Sequence, residues 1–292
     1  MKVKALFFST LFFFSLAATS IAQKTQIYVD QDADYNLALE LFHKEKYSAA
    51  QRSFQDIIEK MPAQSEITIN SEYYSTLCAL ELFNTDAEQQ LITFINNHPE
   101  SQKAKLAYFQ MGNFKYRKKR FEDASEWYAK VDVYSLTNDQ LSEYYFKAGY
   151  CYFDKKIYDK SKKMFFEIKD VDNKYAVPAT YYYSHIAYLE TNYETAMLGF
   201  IKLKQSSLFS SVVPYYITQI YYLQGKYDEV IAYGPSLLDS LNTKRIPEIS
   251  HIVGDAFCRT ARYKEAIPYL EKFLKKSTEI NRNDHYKIGY AY

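Results

Sequence analysis

The chain has 292 residues, 48% of them hydrophobic, so a substantial core is within reach; only 7 glycines and 7 prolines exclude a turn-rich sandwich or barrel. Tyrosine is the outlier at 31, beside 20 phenylalanines and a single tryptophan. The formal charge is +1 (36 minus 35), so no bulk field marks a nucleic-acid binder.

The first 22 residues read as a signal peptide. Lys2 and Lys4 form a positive start, residues 5–18 are an apolar run, and Ser20-Ile21-Ala22 places cleavage before Gln23. An uncleaved membrane anchor is the rival reading, but the run is short and interrupted by Ser and Thr. Loss of Lys2 and Lys4 changes the balance to 34 minus 35, a mature charge of −1. No cysteine precedes Cys78, so no lipid-anchor site lies near the cleavage point, and the product is expected to be soluble beyond the inner membrane. Cys78, Cys151 and Cys258 cannot all pair within one chain, and buried free thiols are expected.

A helix-compatible unit then recurs from about Gln31 onward. The residue that opens each second helix and the small residue three positions later are Tyr47/Ala50, Asn84/Ala87, Phe121/Ala124, Tyr158/Ser161, Tyr193/Ala196, Tyr227/Val230 and Tyr263/Ala266. Phe54, Leu91, Tyr128, Phe165, Phe200, Gly234 and Leu270 stand four residues further on, all on one helical stripe. Nine residues before each opening residue is a small one: Ala38, Ser75, Gly112, Gly149, Ser184, Thr218 or Gly254. Paired small residues let two helices approach closely while rings fill the space beside them. Gly225 is expected in a turn between helices. The second copy (Asn84) and the sixth (Val230, Gly234) depart from the pattern. Asp284–Tyr292 reads as the first helix of an eighth unit, with Gly289 at the close-contact position and an open end, expected either because the chain is a fragment or because that end docks on another subunit.

These seven in-phase copies resemble the tetratricopeptide repeat, a helix–turn–helix of about 34 residues. The resemblance implies an all-α fold, a right-handed α-solenoid over residues 23–292, of about seven repeats plus the first helix of an eighth. Phe94-Ile-Asn-Asn-His-Pro-Glu-Ser101, with Ala104 and Ala107, looks like the repeat joints of outer-membrane assembly factors and Tol–Pal-associated coordinators. With the signal peptide, that likeness to periplasmic repeat proteins of Gram-negative bacteria implies a periplasmic location.

Signatures of phosphate loops, dinucleotide binding, zinc proteases and nucleophile elbows are absent from the sequence, and the five histidines are scattered, so neither metal, cofactor nor catalytic role is expected. Glu122-Asp123 and Asp228-Glu229 fall in first turns, where they suit the positive end of the helix dipole. The basic run Lys115 to Arg120, with Lys155, Lys156 and Lys160 in the next unit, reads as a solvated edge or as a ridge facing an acidic partner.

In the repeat family, positions near two, five, nine and twelve of the first helix line the peptide groove, and the last three are carried over here. On this register they are Phe109, Asn113 and Tyr116 in the third unit, and Phe146, Tyr150 and Phe153 in the fourth. The fifth supplies Tyr181, His185 and Tyr188, and the sixth Tyr215, Gln219 and Tyr222. Tyr combines a rigid apolar body with a polar tip, which suits recognition; the same rings would serve equally as packing between helices. The implied function is a non-catalytic adaptor of the cell envelope with other proteins as partners and no nucleic acid. A glycan-binding repeat protein, or the scaffold part of a longer protein, are the alternatives.

Overall fold

The computed structural model describes residues 32–240, 245–277 and 280–292, so the expected signal peptide lies outside the described residues. Among these, no strand occurs. Contacts divide the chain into two compact units, the first ending at Thr137 and the second beginning at Asn138, where the sequence suggests one uninterrupted array.

In the first unit, α1 (residues 32–43) pairs with α2 (Tyr47–Lys60), α3 (Glu66–Glu81) with α4 (Ala87–Asn97), and α5 (Gln102–Arg117) with α6 (Phe121–Tyr128). A 3₁₀ turn at Val133–Ser135 packs back on α5. In the second unit the hairpins are α7 (Asn138–Asp154) with α8 (Tyr158–Phe166), α9 (Ala176–Leu189) with α10 (Tyr193–Leu203), α11 (Val213–Leu223) with α12 (Tyr227–Ser240), and α13 (Ile246–Arg259) with α14 (Tyr263–Lys276). α15 (Arg282–Ala291) packs on α13 and α14. Within each unit every helix touches its neighbours in sequence, and first helices also touch the next first helix, α3 with α5 and α11 with α13. That is the nearest-neighbour stacking of a helical repeat array.

The hairpin contact is as the spacing predicts. A Cβ on Gly112 would lie 2.6 Å from the Tyr128 ring, one on Gly149 3.0 Å from Phe165, and one on Gly254 2.7 Å from Leu270. Ala50, Ala87, Ala124, Ala196 and Ala266 on the second helices are fully buried. Gly199 and Gly234 add two close approaches that the pattern does not flag, against Ser184 and Val253. Gly234 stands where other copies carry a ring or a leucine, and Val253, from the next hairpin, fills that space. Around Gly289 there is nothing within 4 Å of a Cβ, so no close helix contact forms there.

Each of the seven described turns within a hairpin ends its first helix the same way. Glu45, Phe83, Lys119, Lys156, Thr191, Gly225 and Ala261 have φ between 56° and 72°. In the turn after α9, for example, Thr191 N–H donates to the Tyr188 carbonyl and Asn192 N–H to that of Ala187, the paired bonds of a Schellman cap. This shared turn corrects the register of the second copy. The left-handed residue follows the close-contact residue by seven positions in the other six turns, and seven before Phe83 is Thr76, not Ser75. The connection there is residues 82–86, longer than the 118–120 after α5 or the 190–192 after α9, so α4 begins at Ala87 and Asn84 lies in the connection.

The three cysteines are free; Cys78 and Cys151 are buried as expected, whereas Cys258 is only half-buried. Burial pushes the Cys78 and Cys151 thiols up to about 12, which leaves them unreactive.

Candidate functional site

The twelve predicted groove residues fall into three kinds once the helices are in place. Phe109 is 1% exposed against Tyr128 of its own hairpin. It is core and cannot line a surface, which corrects its assignment. The other eleven are half-buried.

The remaining position-five rings are covered by residues 28–30 positions further along the chain, in or just before the next first helix. Tyr175 stacks on Phe146 at 5.2 Å, and Phe209 on Tyr181 at 4.3 Å with 10° between the planes. The Arg245 guanidinium lies 4.9 Å from the Tyr215 ring centre. Tyr73 in the second hairpin has Lys103 over it in the same way, at 5.4 Å. Aromatic and cation–ring contacts of this geometry favour docking beyond plain area burial. Position five is therefore mortar between hairpins. Burial accordingly raises the pKa of Tyr181 and of Tyr215.

Positions nine and twelve form a second ladder in the unit that begins at Asn138. Phe153 meets His185 of the next hairpin at 5.6 Å. Tyr188 Oη donates to Gln219 Oε1 at 2.5 Å, and Tyr222 Oη to Asp255. Tyr150 stands edge-on to Tyr182 at 5.4 Å. His185 sits among the rings of Phe153, Tyr181, Tyr188 and Tyr216, and burial pulls its pKa down, so it is a neutral imidazole at pH 7. Tyr188 and Tyr222 are pushed up to about 12, in both cases first by burial. In the first unit, Asn113 Oδ1 accepts from Tyr128 Oη at 2.8 Å and Tyr116 packs edge-on to Phe121.

Two features were not visible from spacing alone. The first is the tyrosine doublet. Tyr74, Tyr182 and Tyr216 stack on Phe54, Phe165 and Phe200 of the preceding hairpin, at 5.5, 5.3 and 5.1 Å. Their partners Tyr73 and Tyr181 turn instead to Phe94 and Phe200 of their own hairpins. Adjacent helical residues point about 100° apart, so a doublet serves two seams at once. Tyr-Tyr at a fixed distance from the close-contact residue is the signal that would have revealed it.

The second is Asp255, 2% exposed, which accepts from Tyr222, from Arg259 Nε at 2.8 Å and from Lys287 Nζ at 2.5 Å. Burial works against its charge, but bonds from Lys287, Tyr222 and Arg259 hold its pKa at about 2. Beside it, His251 Nε2 pairs with Asp284 Oδ1 at 2.9 Å, so polar contacts add to the packing of Ile288 and Ala291 in joining α15 to α13.

The basic run does not form an uncompensated ridge. Lys115, 6% exposed, bonds Glu88; Lys118 and Arg120 lie 3.7 Å from the same carboxylate; Arg117 pairs with Glu81 at 2.5 Å and Arg120 with Asp123. His98, at the end of α4, pairs with Glu72 at 2.6 Å. Among the described residues there is no cluster of three or more His, Cys, Asp or Glu able to hold a metal, and no helix long and apolar enough to cross a membrane.

No protein-family model matches the sequence, and no curated protein matches it. Solved structures do match. The C-terminal part of a tetratricopeptide-repeat protein from Cytophaga hutchinsonii superposes with a TM-score of 0.54 at 15% identity, over 87% of this chain and 99% of that one. YrrB, described as a tetratricopeptide-repeat protein with an unusual peptide-binding site, gives 0.51 at 15% identity, over 69% of this chain and 96% of its own. PilF of Pseudomonas aeruginosa gives 0.50 at 15% identity, over 71% and 90%. With the shared turns, close-contact glycines and hairpin order already described, these likenesses establish that the chain has the tetratricopeptide-repeat fold.

Proposed function

We propose that this protein is an exported, non-catalytic scaffold that binds segments of other proteins along the position-nine and position-twelve row of its second unit. The observation that carries this reading is the row itself. Tyr150, Phe153, His185, Tyr188, Gln219 and Tyr222 remain half-exposed while their hydroxyls, carboxamide and ring edges are fixed by neighbours. Rings held rigid before binding lose little conformational freedom on contact, which favours recognition over a mobile surface. A neutral His185 among them keeps the row free of net charge, so the partner segment would be apolar or aromatic at those positions. YrrB's description as peptide-binding supports a peptide as the bound species. The N-terminal leader supports a periplasmic setting, with envelope proteins as partners.

The test is photo-crosslinking in living cells. A crosslinking amino acid at Tyr150 or Gln219 should capture defined envelope proteins, whereas one at exposed Glu167 should not. Equal capture from both faces, or capture from neither, would overturn the assignment.

A further inference from the structure

A different surface, in the first unit, has the composition of a main-chain binding site. Between α2 and α4, with α3 as its floor, lies an open cleft of about 430 Å³. Carboxamides dominate its walls: Gln51 and Gln55 on one side, and Gln89, Gln90 and Asn97 on the other. Asn97 also lines an adjoining cleft of about 680 Å³ that adds Gln64, Asn70 and Gln102. The strip therefore continues beyond a single valley.

Three observations say what it fits. Gln51 donates its NH₂ to the Ser75 carbonyl at 3.4 Å, while Gln55 Oε1 accepts from Ser75 Oγ at 3.2 Å. Successive turns of α2 thereby turn an acceptor and then a donor toward the cleft, the same pair of groups that a peptide main chain needs. On α4, Gln89, Thr93 and Asn97 recur every fourth residue and span about 12 Å, close to the ~13 Å covered by four residues of extended chain. The charged residues lining the first cleft, Glu72 and Asp86, are both acidic. A bound sugar would need an exposed ring to stack on, but the ring lining this cleft, Phe94, is 2% exposed.

We infer that the carboxamide strip between α2 and α4 is a second binding site, for an extended peptide segment carrying lysine or arginine. It recognises main chain through Gln51, Gln55, Gln89 and Asn97, and basic side chains through Asp86, since Glu72 is already held by His98. This site is independent of the aromatic row.

The test uses the full mature chain and a fluorescein-labelled octapeptide of alternating lysine and threonine, read by anisotropy. Saturable binding is expected at submillimolar concentration. Gln55→Ala with Gln89→Ala, at two exposed helix positions where Ala costs no helix propensity, should weaken binding about tenfold with an unchanged melting temperature. Asp86→Ala should reduce the preference for this peptide over its glutamate counterpart, in which each lysine is replaced. No saturable binding up to millimolar, equal binding of the glutamate peptide, or unchanged affinity in the double variant would overturn the inference. So would binding of a chito-oligosaccharide in place of the peptide.

Discussion

Seams between hairpins share one geometry, yet a seam in the first unit and two in the second add different chemistry to it. Ahead of Thr137, the apolar seam between the second and third hairpins is flanked by charge, with Glu88 gathering Lys115, Lys118 and Arg120, and Glu81 taking Arg117. After Asn138, the equivalent seams are closed by rings, Tyr182 on Phe165 and Tyr216 on Phe200, with tyrosine hydroxyls crossing to Gln219 and Asp255. The close packing of small residues sets the hairpin, and what lies between hairpins is free to vary.

The largest effect should come from breaking the charged seam. Glu88→Gln leaves Lys115 buried without its carboxylate and should cost about 3 kcal/mol, measured by urea unfolding of the mature chain. A cost below ~1 kcal/mol would mean that the seam does not depend on that ion pair.

Overpacking the contact common to both units should cost about 2 kcal/mol in either. Ala124→Leu in the first and Ala196→Leu in the second each replace a fully buried small residue, and comparable losses in thermal stability would show that the hairpin contact is the same in both. If one is tolerated and the other is not, the geometry is not shared.

Acid should act on the second unit through Asp255. Its folded pKa of about 2 lies below the ordinary 3.8, so its stabilisation is complete above the unfolded value and is lost as pH falls through the folded one. That is about 2 kcal/mol, disappearing between roughly pH 5 and pH 2. Asp255→Asn should flatten this part of the stability-versus-pH curve, and a curve of unchanged slope would contradict the assignment.

The smallest effect is a gain. Thr191 holds φ at 60°, a conformation that a β-branched residue adopts only under strain, while Gly225 occupies the equivalent place in the next hairpin without penalty. Thr191→Gly should raise stability by about 0.5–1 kcal/mol, seen as a higher melting temperature.

Much of the fold was legible because the repeat couples two local demands. A small residue must stand where helices touch, and a large apolar side chain must fill the space beside it, so Gly112 and Tyr128, or Gly254 and Leu270, advertise each other. The second copy misled for a physical reason: its connection, 82–86, is longer than the others and takes in Asn84, and a spacing counted through Asn84 lands on Ser75 when the turn geometry selects Thr76. The candidate site was less legible. Phe109 and Tyr181 carry the same position number, yet one is core and the other is stacked under Phe209, because covering depends on the residue some 28 positions later.

The order of residues by itself determined the helical hairpins, their period and their close contacts, since these arise from interactions within about forty residues of chain. Which tyrosines are mortar and which remain open, that Asp255 gathers three donors, and that much of the basic run is ion-paired were decided only when neighbouring hairpins came together. Those outcomes depend on where side chains from different repeats meet, and a periodicity describes one repeat at a time.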